Sequence, residues 1–175
     1  NEVNNMSNSY LLQVNIESIL AIICLIIWSC TCIQVRYYKV TGILRYLWVM
    51  LLISLGILIS DIAAIVFRGN TDVVGYYMVR ISNLFVFACT RAMLAYTAFY
   101  LHGRVLSKGD NSTLLKFAKI IVAFSYLMLF LNLFIPMIYS FDSTNHYFRM
   151  NGWYVWCIVD IIGTALVLAE IIRKR

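Results

Sequence analysis

Three charged residues lie inside the long apolar segments of this 175-residue chain. Asp61, Arg91 and Asp160 each stand where a membrane-spanning helix would meet lipid. An ionised side chain near the centre of a bilayer costs about 2.5 to 3.5 kcal/mol, so it normally faces a protein interior and a partner. These three residues therefore predict a polar interior within a membrane protein, and that interior is the candidate site of function.

Two amides join the charged residues as candidates for binding a ligand or for switching between states. Asn83 lies near the outer end of the third apolar segment, and Asn132 lies at about the depth of Asp61 and Asp160 when residues are counted from the outer ends of the predicted helices. In one interpretation Asp61 pairs with Arg91, and the amides only join helices. In the other, the polar side chains enclose an outward-facing ligand pocket. Both interpretations remain open at the level of sequence.

The end of the fourth apolar segment holds the single proline, Pro136. Proline donates no amide hydrogen and its ring presses on the carbonyl four residues earlier, so it predicts a kink at the outer end of the fourth helix. The outer loop that follows, residues 140–150, is either a lid or an ordinary interfacial loop. The polar candidates of this loop are Asp142, Asn145 and Arg149.

The elements that must position these residues are membrane-spanning helices. The chain is 62% hydrophobic and 13% charged, and its apolar runs exceed the roughly 18 residues that mark a transmembrane helix. Apolar and polar residues do not alternate as they would in barrel strands. The sequence thus predicts one all-α domain, residues 1–175, that is a polytopic transmembrane helix bundle of five helices. The predicted spans are 16–35, 47–67, 81–101, 117–139 and 153–172.

Positive charges predict the orientation of these helices. Ten of the fourteen Lys and Arg residues flank the ends that would lie on one side of the membrane, including Lys39, Lys108, Lys174 and Arg175. Cytoplasmic loops carry this excess, so we expect the amino terminus outside and the carboxyl terminus in the cytoplasm. The net charge of +6 therefore indicates topology rather than a nucleic-acid partner. At the segment ends, Trp153 and Trp156 suit the outer interface and Glu17 should reach water.

Catalytic and metal-binding motifs are absent from the sequence. There is no Gly-rich phosphate loop and no metalloprotease or serine-hydrolase motif, the five cysteines all lie in apolar segments, and the two histidines are isolated. We expect no cofactor, no metal and no disulfide framework. Three function classes remain, namely a sensor domain, a small-solute transporter or channel subunit, and an anchoring subunit. A single proline and no internal repeat make the transporter class less favoured.

Two segments resemble the amino-terminal membrane region of a large group of clostridial signalling proteins. Residues 58–69 are LISDIAAIVFRG, and that region carries Ser-Asp-x-x-Ala-x-x-Phe-x-Gly at the end of its second helix. Residues 139–149 are YSFDSTNHYFR, and the outer loop there carries Tyr-Phe-Asp-x-x-Asn-x-Tyr-x-Arg. The likeness extends from the first helix onward. Two positions depart from the pattern, because Ser140 separates Tyr139 from Phe141 and Ile65 replaces an aromatic residue.

The resemblance implies a sensor joined to an enzyme. Such regions have about seven helices and precede a cytoplasmic diguanylate cyclase or histidine kinase domain, so this chain is expected to be a fragment with the first five helices. It implies a multi-pass protein of the bacterial cytoplasmic membrane, with the bilayer, an unknown small ligand and a possible homodimer as partners. The fragment itself is not expected to be an enzyme, and the resemblance does not identify the ligand.

Overall fold

The computed structural model describes residues 2–37, 42–105 and 113–173, and every long element in these ranges is an α-helix. The prediction of an all-α fold with five helices is therefore confirmed for the described residues. Most helices are longer than the apolar segments from which they were predicted, because the helical structure continues into the polar residues that flank those segments. The helices are α1 (Glu2–Tyr37), α2 (Gly42–Val66), α3 (Val73–Val105), α4 (Thr113–Leu131) and α5 (Gly152–Arg173).

Four of these helices are long and apolar enough to cross a membrane. A helix satisfies its own backbone hydrogen bonds, which is why helices can pass through hydrocarbon that offers no other donors or acceptors. Many large apolar side chains on them are exposed on the protein surface, as lipid contact requires. The chain is thus a helical membrane protein. The spans are Tyr10–Tyr37, Gly42–Val66, Val73–Tyr100 and Gly152–Ala169.

The chain divides into two compact units, residues 1–89 and 90–175, and the division falls within α3. In the first unit, α1 packs on α2, and two of its contacting residues, Cys24 and Trp28, are four positions apart and so lie on one face of α1. Cys24 is buried and its thiol donates to the Leu51 carbonyl over 3.5 Å. Trp28 stacks on Trp48 with 5.8 Å between ring centroids. One polar contact and one apolar contact therefore join α1 to α2 along this face.

In the second unit, α4 packs on α5 with small residues at the contact. Gly163 is buried, and a Cβ atom built there would lie 3.0 Å from Leu94 and 3.1 Å from Ile121. These distances are tighter than ordinary packing, so the missing side chain lets α5 approach its neighbours closely. This close approach brings α5 within reach of the polar face of α3. The fully buried apolar cluster beside it is Ala98, Ala118 and Val167.

The predicted end of the fourth helix was wrong. The apolar segment runs to Tyr139, but α4 ends at Leu131 and Pro136 lies in the turns that follow, so it does not kink a helix. The side chain of Asn132 accepts the backbone N–H groups of the chain beyond the helix and replaces helical hydrogen bonds there. Apolar composition therefore overestimated the length of this helix, because the residues after Leu131 pack in an irregular segment.

The outer loop is a β-hairpin, which the sequence did not predict. Strands β1 (Tyr139–Phe141) and β2 (Tyr147–Arg149) are antiparallel, with Tyr139 opposite Arg149. The rings of Tyr139 and Tyr147 lie 5.8 Å apart, and Phe141 lies 5.7 Å from Tyr139. Aromatic pairs of this kind stabilise neighbouring strands. The N–H of Gly152, the first residue of α5, donates to the carbonyl of Met137 over 3.0 Å and joins the start of α5 to the segment that precedes the hairpin.

Some of the charges that predict the orientation, namely Lys39, Lys108, Lys174 and Arg175, lie outside the described residues. The described ones occupy positions that agree with their assignment, since Arg36 is in the last turn of α1 and Arg173 in the last turn of α5. Arg68 follows the end of α2 on the opposite side of that span. The orientation itself stays a prediction.

Candidate functional site

The centre of the candidate site is Arg91, the charged residue of α3. Its exposed fraction is 0%, which is exceptional for an arginine because a buried guanidinium loses its hydration. A guanidinium presents five N–H donors in a fixed plane, so its burial requires several acceptors or an aromatic face. The second unit provides both from one helix, α5.

Asp160 and Trp156 of α5 hold the guanidinium between them. They are four residues apart and therefore lie on the same face of the helix. Asp160 forms a salt bridge with Nη1 of Arg91 through its Oδ1 atom. Nη2 donates to the Trp156 carbonyl over 3.3 Å. The guanidinium carbon lies 3.4 Å from the centroid of the Trp156 ring, so a cation–π contact adds to the salt bridge.

The cluster Arg91–Trp156–Asp160, which we call the arginine cluster, has an asymmetric exposure. Arg91 is fully covered and Trp156 is 5% exposed, whereas the Asp160 side chain is 35% exposed. The Nε atom of Arg91 is buried and bonds to none of the described residues. The arginine is thus fixed inside the protein, and the carboxylate is the member of the cluster that another group can reach.

A groove of about 300 Å³ opens beside the exposed side of Asp160. The residues that line it come from α5 at intervals of three and four positions, so they form one face of that helix. Besides the carboxylate, the groove offers the hydroxyl of Thr164 one turn further along. A ligand in this groove would meet two oxygen acceptors on an otherwise apolar wall. The lining residues are Asp160, Ile161, Thr164, Ala165 and Leu168.

One of the two interpretations of the sequence paired Arg91 with Asp61, and this pairing was wrong. The carboxylate that Arg91 binds is that of Asp160, 69 residues further along the chain. Asp61 lies in the first unit, where its carboxyl is in hydrogen-bonding contact with the carboxyl of Glu17 on α1. Glu17 was expected to reach water and to have no special role. It is instead half-buried inside α1, well after the beginning of that helix.

The predicted position of Trp156 was also wrong. A tryptophan near the end of a span usually lies at the membrane interface, which is where we expected this one. Its position four residues before Asp160 was the available signal, because that spacing places the indole on the face of α5 that carries the carboxylate. The Trp156 ring packs against the Arg91 guanidinium and is not exposed to lipid headgroups.

The two candidate amides bond to the backbone of their own segments. The side chain of Asn83, in the first unit, donates to the Val79 carbonyl over 2.8 Å. Asn132, in the second unit, accepts the N–H groups of Met137 over 2.8 Å and of Ile138 over 2.6 Å. Because Asn132 follows the end of α4, the depth estimated for it from an unbroken helix does not apply. Its observed contacts are those of a residue that closes a loop.

The three polar candidates of the outer loop are parts of the hairpin. The carboxylate of Asp142 accepts the backbone N–H groups of Thr144 over 3.0 Å and of His146 over 2.7 Å. Asn145 is 3% exposed and has a φ of 62°, a left-handed conformation that asparagine tolerates better than most residues. The guanidinium carbon of Arg149 lies 4.2 Å from the centroid of the Trp153 ring. The turn of the hairpin thus accounts for the contacts of Asp142 and the conformation of Asn145, whereas Arg149 packs on the first turn of α5.

Acid should loosen the turn of this hairpin. Hydrogen bonds from His146 and Thr144 hold the pKa of Asp142 below the ordinary value of an aspartate. A carboxyl whose pKa is lower in the folded state stabilises that state above its unfolded pKa, and this contribution disappears as pH falls through the folded pKa. We expect the amide proton signals of Thr144 and His146 in NMR spectra to shift in that acidic range. In Asp142→Asn, where the side chain does not titrate, the same titration should be flat.

Metal and disulfide chemistry find no support in the described residues. No group of three His, Cys, Asp or Glu side chains there could hold a metal ion, and the five cysteines are free thiols. Comparison of the chain with protein-family models, with curated proteins and with solved structures finds no match. The arginine cluster and the pair of carboxyls in the first unit, Glu17 and Asp61, are therefore the features of this chain that indicate a function.

Proposed function

We propose that this chain is the membrane-embedded input domain of a bacterial signalling protein, which passes an extracellular or membrane signal to a cytoplasmic output domain. The observation that carries the proposal is the arginine cluster, in which a fully buried guanidinium depends on a carboxylate that faces an open groove. In this proposal the chain performs no catalysis, and the output domain is a diguanylate cyclase or a histidine kinase of the cytoplasmic membrane.

A buried ion pair is a poor device for stability alone. The cost of removing two charges from water offsets most of their attraction, and apolar residues of similar volume often stabilise a protein as well. A pair of this kind is better suited to selecting one packing among several, since any packing that separates the partners leaves a buried charge. The arginine cluster joins α3 to α5, so two packings of these helices would differ in whether the pair is closed.

A ligand would act on this equilibrium through Asp160. A small molecule with hydrogen-bond donors could bind the exposed carboxylate oxygen and Thr164 in the groove, and it would then compete with Arg91 for the carboxylate. Only a difference in affinity between the two packings shifts their populations. Opening of the pair would let α5 move relative to α3, and α5 leads toward the predicted cytoplasmic side.

The resemblance to clostridial membrane sensors supports the same function. The segment 58–69 contains Asp61 of the carboxyl pair and ends at Gly69, whose φ of 78° explains why that position of the motif is a glycine. The segment 139–149 forms the complete hairpin, with its aspartate and asparagine in the turn. Both motifs therefore correspond to defined local structures. A homodimer would fit such a receptor and is part of the proposal.

The test is the output of the whole reading frame that contains this chain, measured as cyclic dinucleotide synthesis or autophosphorylation in membranes. Asp160→Asn keeps the shape of the side chain and removes its charge, so we expect the output to be held at one level under conditions that change the wild-type output. The matched control is Arg80→Gln on α3, the helix that carries Arg91, because the Arg80 guanidinium stacks on the Tyr76 ring of its own helix. Normal regulation in Asp160→Asn would contradict the proposal.

A small-solute transporter or channel subunit is the second candidate. The observation that favours it is the groove beside Asp160, since an exposed carboxylate inside a membrane span is also typical of solute pathways. Flux of small solutes into proteoliposomes that contain the protein separates the two candidates. Flux that Asp160→Asn abolishes would favour transport, and regulated output without flux favours the sensor.

A further inference from the structure

The carboxyl groups of Glu17 and Asp61 meet inside the first unit, although both lie in membrane-spanning helices. Glu17 belongs to α1 and Asp61 to α2, and their side chains are in hydrogen-bonding contact. One oxygen of Glu17, Oε1, accepts the side-chain N–H of Gln13 over 2.9 Å. The other oxygen, Oε2, is buried and accepts no hydrogen bond from any nitrogen or hydroxyl donor of the described residues.

Within the part of the chain that the structure describes, one positive charge acts on this carboxyl pair. Arg68, two residues after the end of α2, interacts electrostatically with Asp61. Its guanidinium carbon also lies 5.4 Å from the centroid of the Tyr10 ring on α1. Gln13 completes the polar surroundings of the pair and carries no charge. Among the described residues, Arg68 is thus the cation that acts on the two carboxyls, and it is not bonded to Glu17, which leaves Oε2 without compensation if both groups are ionised.

Contact between two carboxyl groups requires a proton. Carboxylate oxygens only accept hydrogen bonds, so one of the two groups must carry the hydrogen that lies between them. Two adjacent carboxylates in a medium of low dielectric constant repel strongly, and such pairs normally hold one proton between them. The unpartnered Oε2 atom is where that hydrogen would complete the hydrogen bonding of Glu17.

We infer that Glu17 and Asp61 form a proton-binding site that joins α1 to α2 by one shared hydrogen. When the proton is present, the pair is a single hydrogen bond with one negative charge beside Arg68. When the proton leaves to water, two carboxylates face each other. Their repulsion then weakens the contact between α1 and α2 at this point. The site lies in the first unit and does not depend on the proposed input function or on the arginine cluster.

Labelling with dicyclohexylcarbodiimide tests the inference on the protein in native membranes. This apolar reagent modifies carboxyl groups that are protonated within a membrane, because the acid proton moves to a reagent nitrogen while the carboxylate oxygen bonds to the central carbon. Peptide mapping by mass spectrometry then locates the label. We expect label on Glu17 or Asp61 at neutral pH and a loss of label at alkaline pH. Asp160, whose carboxyl forms a salt bridge with Arg91, is the internal control and should remain unlabelled.

Two amide variants make the test specific for a shared proton. In Glu17→Gln, the new amide can donate to the Asp61 carboxylate, so the proton is no longer needed and label on Asp61 should fall several-fold at neutral pH. Asp61→Asn should lower label on Glu17 in the same way. Two carboxyls that were protonated independently would keep their label when the partner is changed, and that result would overturn the inference.

Two further measurements guard against a false result. The infrared C=O stretch of a protonated carboxyl should be present in the wild-type protein at neutral pH, which requires no variant to fold. A wild-type spectrum without that band would overturn the inference. Replacing choline chloride with sodium chloride at constant pH should leave the labelling unchanged. If sodium protected the pair from the reagent, the occupant would be a metal cation rather than a proton, and the inference would be wrong.

Discussion

Replacing Asp160 with alanine is expected to destabilise the folded protein by about 3 to 5 kcal/mol, the cost of breaking a buried ion pair by removing one partner. The physical reason is the burial of Arg91, whose exposed fraction is 0%. Without the carboxylate, the partners left to its guanidinium among the described residues would be the Trp156 ring and the Trp156 carbonyl. Unfolding of the purified protein by an anionic detergent in mixed micelles, followed by circular dichroism, measures this loss.

Two controls separate the loss of charge compensation from a general disturbance of α5. Thr164→Ala changes an exposed side chain one turn further along the same helix, so a change below about 0.5 kcal/mol is expected there. The double variant Arg91→Leu with Asp160→Leu removes both charges, and it should recover much of the lost stability because no buried charge remains. A double variant that is less stable than Asp160→Ala would show that the pair itself stabilises the fold.

The positions of the helices could be predicted from sequence, whereas the partners of their charged residues could not. A charge within an apolar segment indicates that the residue has a partner, because exposing the charge to lipid costs several kcal/mol. It does not state which partner, since that depends on how helices distant in sequence pack. Arg91 and Asp160 are 69 residues apart, and the close approach at Gly163 that helps to bring α5 near α3 leaves little trace in hydropathy.

Glu17 shows a second limit of hydropathy. Its carboxyl stands at the edge of the first apolar segment, which begins at Ile16, and an acidic residue at the edge of a span normally reaches water. The helix, however, begins at Glu2, so Glu17 lies more than three turns inside α1. A polar amino-terminal extension of a helix cannot be distinguished from a loop by apolar composition, although Gln13 and Glu17 at a spacing of four residues were a signal of helix.

Replacing Asn132 with alanine should destabilise the protein by about 3 kcal/mol or more, since each buried N–H that loses its acceptor costs roughly 1 to 3 kcal/mol. The Oδ1 atom of Asn132 accepts the N–H groups of Met137, Ile138 and Tyr139. Ile138 is 0% exposed and Tyr139 is 5% exposed, so water cannot replace the lost acceptor at these two amides. The same detergent unfolding experiment measures the effect.

Asn132→Asp distinguishes this loop-closing role from a role in binding a ligand. The aspartate keeps an acceptor for the three N–H groups and loses the donor that reaches the Tyr139 carbonyl over 3.3 Å. It also adds a negative charge, which the three N–H groups stabilise by hydrogen bonding. Stability should therefore fall much less than in Asn132→Ala, and the hairpin that begins at Tyr139 should retain its register with Arg149 opposite. Equal losses of stability in both variants would contradict this loop-closing role. They would show that the amide nitrogen of Asn132 matters more than the oxygen that accepts the backbone N–H groups of this irregular segment.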